Sequence, residues 1–430
     1  MSRAKLIALF PEASFGAALN CVGIAQALER QGARPVFICH EGFKGVFSDY
    51  GFQEYHLASG GSLTDAERDE FWQAFIARHL PHFRLSPKEQ LSTYVAPTWD
   101  AIVDTANRAE RPLQRILDSL RPDAVVLDNV VMFPAIRNSG LPWARVVSCA
   151  ETEIPDPAVP PYLSGCPTDD EACHRDFAAA YAQAVASPHE RFNRFLAAHG
   201  MSRYPPGQFL ETSPWLNLLL SPDIVRRRRK YPLEPERFVF LNGCVREEAP
   251  SLLPGFPRNE DSPLVYVSFG SLGAMDVQLF RDLIAAFSDM PYRFLVNVGA
   301  NRDAYETVPD NVYIDSWFVQ PSVVSQCDLF IHHGGNNSFG EALYYGVPSL
   351  IMPYCWDGHD NACRVGETAT GRALPRYGWP RAALQETIGG LIHDAALRRR
   401  LADNARAMQA FNGTAVAAKA ILSLTDGSRS

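Results

Sequence analysis

Leu329-Phe330-Ile331-His332-His333-Gly334-Gly335-Asn336-Asn337-Ser338 decides how the second half of this chain folds. Leu329 to Ile331 is an apolar run of strand length, and the glycine pair turns the chain into a helical run over Phe339 to Tyr345. Ser349 to Met352 is the next strand. Strand, glycine turn, helix, strand is the unit of a doubly wound parallel sheet, whose ligands gather beyond the carboxyl ends of the strands. Backbone amides and helix N-termini there favour phosphate. An imidazole, two glycines, an amide and a hydroxyl at a helix start suit a diphosphate, and Glu341, one turn further, is placed to accept hydrogen bonds from a ribose.

The alternation continues on both sides. Upstream, Leu264 to Phe269, Tyr292 to Val298 and Val312 to Ile314 read as strands, with a helix over Val277 to Ser288. Gly270-Ser271 follows the first of these and lets backbone approach an anion. Downstream comes Tyr354-Cys355-Trp356-Asp357-Gly358-His359-Asp360-Asn361, whose carboxylates and imidazole lie where a polar ligand would cross the sheet edge. Long helices run from Arg381 onward. The first half begins the same way, with a strand at Lys5 to Phe10, a Pro/Ser/Gly turn, a helix over Ala17 to Gln31 closed by Gly32, and a strand at Val36 to Cys39. Ala124 to Leu127 is a buried strand ending at Asp128, followed by a small helix over Val130 to Asn138. Ala144 to Ser148, Leu216 to Leu220 and Phe238 to Leu241 are further strands. Residues 65–120 and 170–200 are helix-rich, with Phe71, Trp72 and Phe75 at core-like spacing, while 151–168 is Pro-rich and irregular. The predicted class is α/β, with two Rossmann-like doubly wound domains. These are 1–246 and 264–430, joined by an acidic, Pro-punctuated linker over 247–263, with the last helix free to pack back on the N-terminal domain.

A chain of 430 residues exceeds one ordinary core, in keeping with two domains. Hydrophobic residues at 47% and charged residues at 20% give a globular balance, and the net charge of −8 disfavours nucleic acid and anionic membranes as partners. The one basic run, Arg226 to Lys230, reads as a solvated loop or helix end. Nine scattered cysteines, an odd number, read as reduced, buried thiols of a cytoplasmic protein. No pair has the close spacing of a zinc site; Cys166, Cys173 and His174 come nearest, and no metal is expected. The apolar run from Leu6 to Phe10 is too short for a signal segment or a membrane span, so stable membrane insertion is not expected.

Trp317, Gln320, His333, Gly335, Asn337, Ser338, Glu341, Gly346-Val347-Pro348, Pro353, Asp357 and Asn361-Ala362 together resemble the donor motif of the family-one UDP-glycosyltransferases. The bacterial macrolide and antibiotic branch is the most similar, and the sixteen-residue step from Trp317 to His333 suits it. The resemblance implies the GT-B fold, in which an acceptor-binding domain faces a donor-binding domain across a cleft. By the same resemblance Trp317 stacks on the nucleobase and Gln320 bonds base or ribose. His333, Asn337 and Ser338, with the amides around Gly335 and the hydroxyl of Ser271, hold the diphosphate. Glu341 takes ribose hydroxyls and Asp357 bonds the transferred sugar. The partners implied are a UDP- or dTDP-sugar and a small, largely apolar acceptor such as a natural product, joined with inversion. No metal or cofactor is implied, because protein donors and a helix dipole stabilise the leaving diphosphate.

Two positions depart from the family. Gly358 stands where a Gln usually follows the Asp, leaving the sugar open and His359 as a substitute. Ala17 stands where the family has its His base, while Asp128 matches the Asp that orients it. Asp128, or Glu12 in the same loop as Ala17, is then expected to take the acceptor's proton, unless the acceptor is nucleophilic enough to need little help. Asp128 also reads as a cap for the helix that follows. The competing expectations are a non-catalytic nucleotide-sugar-binding or accessory homologue and a GT-B nucleotide-sugar epimerase.

Overall fold

Runs that are apolar without alternation become strands covered on both faces, the pattern of an all-parallel sheet. β1 (Leu6–Pro11), β2 (Arg34–His40), β3 (Gln53–Leu57), β4 (Ala124–Asp128), β5 (Trp143–Val147), β6 (Leu216–Leu219) and β7 (Phe238–Phe240) form one such sheet, in the order β3-β2-β1-β4-β5-β6-β7. A second contains β8 (Leu264–Ser268), β9 (Arg293–Asn297), β10 (Val312–Asp315), β11 (Leu329–His332), β12 (Ser349–Ile351) and β13 (Gly371–Ala373), in the order β10-β9-β8-β11-β12-β13. This computed structural model describes residues 3–57, 74, 77–148, 151–256 and 261–426. Phe71, Trp72 and Phe75 lie outside them.

Each order reverses beside its first strand, and ligands of such sheets bind in the crevice beyond that reversal. In the first sheet the crevice is flanked by β1 and β4, whose last residues Pro11 and Asp128 pair in register, and the Glu12 N–H donates to the Asp128 carbonyl at 2.6 Å. In the second it is flanked by β8 and β11, so the loops carrying Gly270 and His333 come together.

The helices used below are α1 (Phe15–Arg30), α2 (Ala96–Leu120), α3 (Glu171–Ala184), α4 (Ala186–Ala198), α5 (Val277–Phe287), α6 (Asn336–Tyr345), α7 (Asp357–Glu367), α8 (Arg381–His393), α9 (Ala395–Phe411) and α10 (Gly413–Leu424). α1 is apolar on nearly every side because α10 covers it: Ala417, Ala418 and Ile421 share a core with Ile7, Val22 and Leu28. α10 therefore closes on the first sheet. Gly413 permits this, since a Cβ there would stand 2.1 Å from the carbonyl oxygens of Leu241 and Gly243.

Three expectations change. The helix expected over 130–138 shrinks to the single turn Pro134–Arg137, because Phe133 before it is extended and Val130 to Phe133 bury apolar side chains. The basic run is not simply solvated. Arg227 is buried, donates to the Thr168 hydroxyl at 2.8 Å and pairs with Glu367 of α7 at 3.7 Å, while Arg364 of α7 donates to the carbonyls of Val225 and Arg226. The run thus clamps the two halves together. The thiols are not all reduced either: Cys166 and Cys173, seven residues apart, form a disulfide across the Pro-rich loop and the start of α3. It removes both as metal ligands.

Candidate functional site

His333 leaves β11 and is held by glycines. A Cβ on Gly335 would come within 2.6 Å of its Nε2 and one on Gly270 within 3.1 Å of its Cε1, so both glycines are needed for the imidazole to lie between the two loops. Its ring stacks on Tyr354 with centroids 5.1 Å apart. Nδ1 is buried without a hydrogen-bond partner in the ligand-free chain, an orphan that an incoming acceptor atom would satisfy. Burial, reinforced by the nearby Arg376 guanidinium, lowers the His333 pKa to about 3, so the ring is neutral at physiological pH. Ser271 is exposed at the rim of the same loops.

α6 begins beside this imidazole. Its first N–H, from Asn336, donates to the Asp357 carboxylate at 2.7 Å. The remaining first-turn amides and the helix dipole favour an anion at this end. One turn on, Glu341 gathers the other polar side chains. Gln320 donates to Glu341 Oε2 at 2.7 Å and to the Ser338 hydroxyl at 3.2 Å, and Asn337 donates to Glu341 Oε1 at 3.3 Å. Trp317, 60% exposed in the loop after β10, faces Phe15 of the first half at a centroid distance of 6.3 Å. Such an exposed aromatic face suits a flat ring.

Asp357 starts α7 directly after Trp356, a non-glycine residue at φ +50°, a conformation that costs on the order of 1–3 kcal/mol and is held by the surrounding packing. Trp356 Nε1 donates to the Tyr94 hydroxyl of the first half at 3.2 Å. His359 turns away from the diphosphate loop: its Nε2 meets the Gln90 side chain at 3.2 Å, and its backbone packs under Gly165. No side chain fits at Gly358 in this arrangement, because a Cβ would lie 2.5 Å from the His333 carbonyl oxygen.

Across the cleft, Asp128 is 3% exposed; it accepts from the Ser148 hydroxyl at 2.7 Å and from the Cys21 thiol at 3.8 Å. It does not cap the next turn, whose cap position is Phe133. Burial, with Glu12 adding repulsion, raises its pKa to about 7; burial does the same for Glu12 and for Asp357, each to about 7. Ala17 sits in the third position of α1, its N–H capped by Ser14.

Other residues of the site carry no motif. Glu153, in the turn after β5, has Glu12, Asp128 and Asp357 as charged neighbours; burial and then Glu12 hold its carboxyl well above the usual range. Asp360 accepts from the amides of Leu163 and Gly165, at 2.9 and 2.8 Å, pinning the Pro-rich loop to α7. A crevice lies between the halves, with Asn20, Ser148, Thr152, Asn336, Glu341 and Asp360 among its walls. Arg246, just ahead of the linker, reaches Glu341. Among the described residues, the one group able to share an ion is Cys39, Glu54 and His56, and Glu54 is already bonded by three backbone amides and His56.

Residues 282–420 match the model of the C-terminal domain of erythromycin biosynthesis protein CIII-like proteins. The structure superposes on the glycotransferase of kitacinnamycin over 99% of this chain and 100% of that one, at 21% identity and a TM-score of 0.73. The fold is GT-B. Among sequence relatives, NDP-glycosyltransferase YjiC of Bacillus subtilis (strain 168) is 30% identical over 190 residues, 43% of this chain and 48% of the relative. Oleandomycin glycosyltransferase of Streptomyces antibioticus is 26% identical over 235 residues, 54% of each. These relatives and structural neighbours are glycosyltransferases, the antibiotic-type ones among them. The chain spans about half the length of these two curated relatives. The family model falls on the half that carries the donor loop.

Proposed function

We propose that this chain is an inverting, metal-independent glycosyltransferase acting in the cytoplasm. It moves a sugar from a UDP- or dTDP-sugar to a small, largely apolar acceptor such as a natural product. The observation that carries the reading is the donor loop: an orphaned buried Nδ1 on His333, the open first turn of α6 and the Gln320-Ser338-Glu341 network lie in the order of diphosphate and ribose. In this reading Trp317 stacks on the base, Ser271, His333, Asn337 and Ser338 hold the diphosphate, and Asp357 takes a sugar hydroxyl with the oxygen not bonded to Asn336. The neutral His333 N–H and the helix dipole stabilise the leaving diphosphate without a metal. Asp128, with Glu12 beside it, removes the acceptor proton as the oxygen or nitrogen attacks the anomeric carbon, the C–O bond to the diphosphate breaking on the opposite face.

Ala17 supports one competing reading, a nucleotide-sugar-binding homologue without turnover. Purified protein incubated with UDP-glucose, dTDP-glucose and a panel of phenols and amines distinguishes the two. Acceptor-dependent release of the nucleoside diphosphate is expected; binding with no release across the panel would favour the binding protein. His333→Ala is expected to weaken UDP or dTDP binding by about 10- to 100-fold, the range of a lost hydrogen bond to a charged group. Because His333 stays neutral, wild-type affinity followed by calorimetry from pH 5.5 to 8.5 is expected to show no inflection near 6.5 from this ring. Unchanged affinity in the variant would remove His333 from the diphosphate site.

A further inference from the structure

Arg246 lies outside the donor motif, at the start of the chain segment that crosses between the two sheets. It is 5% exposed. Its backbone rests on α1, where a Cβ on Gly23 would touch Arg246 N and Cα at 3.2 Å; a mid-helix glycine, ordinarily costing about 1 kcal/mol, lets the segment lie this close. The guanidinium is fixed at both ends. Nε donates to Glu248 and, at 3.3 Å, to the Tyr50 hydroxyl, and NH1 donates to Glu341 Oε1 at 3.0 Å. Tyr50 in turn donates to Glu248 at 2.6 Å.

We propose that Arg246 is the positioning residue of the ribose site: it holds the buried Glu341 carboxylate aimed so that Glu341 can accept the ribose hydroxyls of the donor. This rests on the assignment of Glu341 to the ribose made above. A carboxylate has about four acceptor positions. Arg246, Asn337 and Gln320 take three, leaving one for a hydroxyl, and a second becomes available if the Gln320 amide moves to the base.

Arg246 is the cation of this network. Around Glu341 stand Arg246 and Glu248 from the crossing segment, Tyr266 of β8 and Tyr345 of α6, with Tyr50 behind Arg246. Burial pushes the Glu341 carboxyl up and Glu248 adds to this, while Arg246 and Gln320 oppose it. Loss of the guanidinium shifts Glu341 toward the protonated acid. That acid keeps one proton-bearing oxygen and loses charge-assisted acceptance, which is worth roughly tenfold or more per hydroxyl.

The test compares UDP and dTDP with their analogues lacking ribose hydroxyls, 2′,3′-dideoxyuridine and 3′-deoxythymidine diphosphate, titrated into the full chain while following Trp317 quenching and heat. Wild type is expected to prefer the hydroxylated nucleotide by at least tenfold. In Arg246→Gln that preference falls to under threefold and partly returns as pH rises and Glu341 deprotonates. Arg246→Lys, which retains the charge, is expected to keep the preference within about threefold of wild type with a flat pH profile, and it serves alone if Arg246→Gln does not fold. Equal weakening of hydroxylated and dideoxy nucleotides in Arg246→Gln, or a wild-type preference and pH profile in it, would overturn the assignment of Arg246. So would loss of the preference in a folded Arg246→Lys. Glu341→Gln separates the two layers: if it leaves the preference intact, the ribose assignment itself fails, whereas loss in Glu341→Gln with retention in Arg246→Gln removes only Arg246.

Discussion

Asp128→Asn is expected to lower turnover by about 10²- to 10⁴-fold while leaving nucleotide affinity within twofold, because it removes the proposed general base without touching the donor loop. Its pH signature follows from the same burial. With the carboxyl raised to about 7, the base is protonated below neutrality, so wild-type kcat/KM rises as pH increases through about 7 rather than through the usual carboxylate range near 4. Stability moves the opposite way. A carboxyl whose pKa is raised on folding binds its proton more tightly in the native state; the stability this contributes is complete below the unfolded value of 3.8 and is lost as pH rises through about 7. At pH 8 the native state then bears a charged, buried Asp128 at a cost of up to about 4 kcal/mol. Asn keeps the Ser148 contact and sheds that charge, so the variant is expected to melt several degrees higher at pH 8 and close to wild type at pH 4. Calorimetric melts at both pH values, with steady-state rates on any accepted acceptor, check both signs. A rate loss under tenfold would shift the base to Glu12 or to an acceptor that needs none. Glu12→Gln measured alongside decides between those two.

The fold was legible wherever apolar runs were long. β1, β4, β8 and β11 read directly from Leu6 to Phe10, Ala124 to Leu127, Leu264 to Phe269 and Leu329 to His332, because strands covered on both faces admit little else. β3 was missed since Gln53-Glu54-Tyr55-His56-Leu57 is an edge strand made mostly of polar residues, and β13 since three residues carry no period. The basic run misled for a related reason. Charge alone points to solvent, but Arg227 is satisfied by Thr168 and Glu367, partners far away in sequence. The candidate donor residues could be grouped from sequence because they cluster just after four strands, β8, β10, β11 and β12. Arg246, Glu153 and Asp360 could not, because what makes them part of the site is the approach of one domain to the other. Asp360 stood inside the quoted loop, yet its partners Leu163 and Gly165 contribute only backbone amides, which leave no trace in residue type.

Gly358 is where sequence and geometry meet most sharply. The family's Gln would be the obvious repair, and Gly358→Gln is expected to fail as one. A Cβ at this position would stand 2.5 Å from the His333 carbonyl oxygen, and the reverse face of the contact is equally close, since a Cβ on Gly334 would lie 2.9 Å from the Gly358 carbonyl. Neither neighbour is the end of a flexible side chain that could swing away. Relief requires α7 and the turn after β11 to separate by several tenths of an ångström, which moves His333 off its seat between Gly270 and Gly335 and loosens the bond from Asn336 N–H to Asp357. Overpacking of this kind costs about 1–3 kcal/mol. Displacement of the diphosphate and sugar contacts together is expected to bring the loss of UDP or dTDP affinity to about 100-fold, with no gain in glucose transfer. The matching control is Gly366→Ala, exposed two turns further along α7 where an added Cβ meets nothing within 4 Å, which is expected to leave affinity unchanged. If Gly358→Gln instead binds UDP-glucose better than wild type, the turn after β11 yields more readily than its backbone contacts imply. The chain would then be one substitution from the sugar site of its relatives. If it fails as expected, Gly358 belongs to a loop packing of its own, in which the space for a side chain has been given to the crossing of Gly334 and Gly358, and the sugar must be recognised chiefly by Asp357 and by groups contributed from the facing domain.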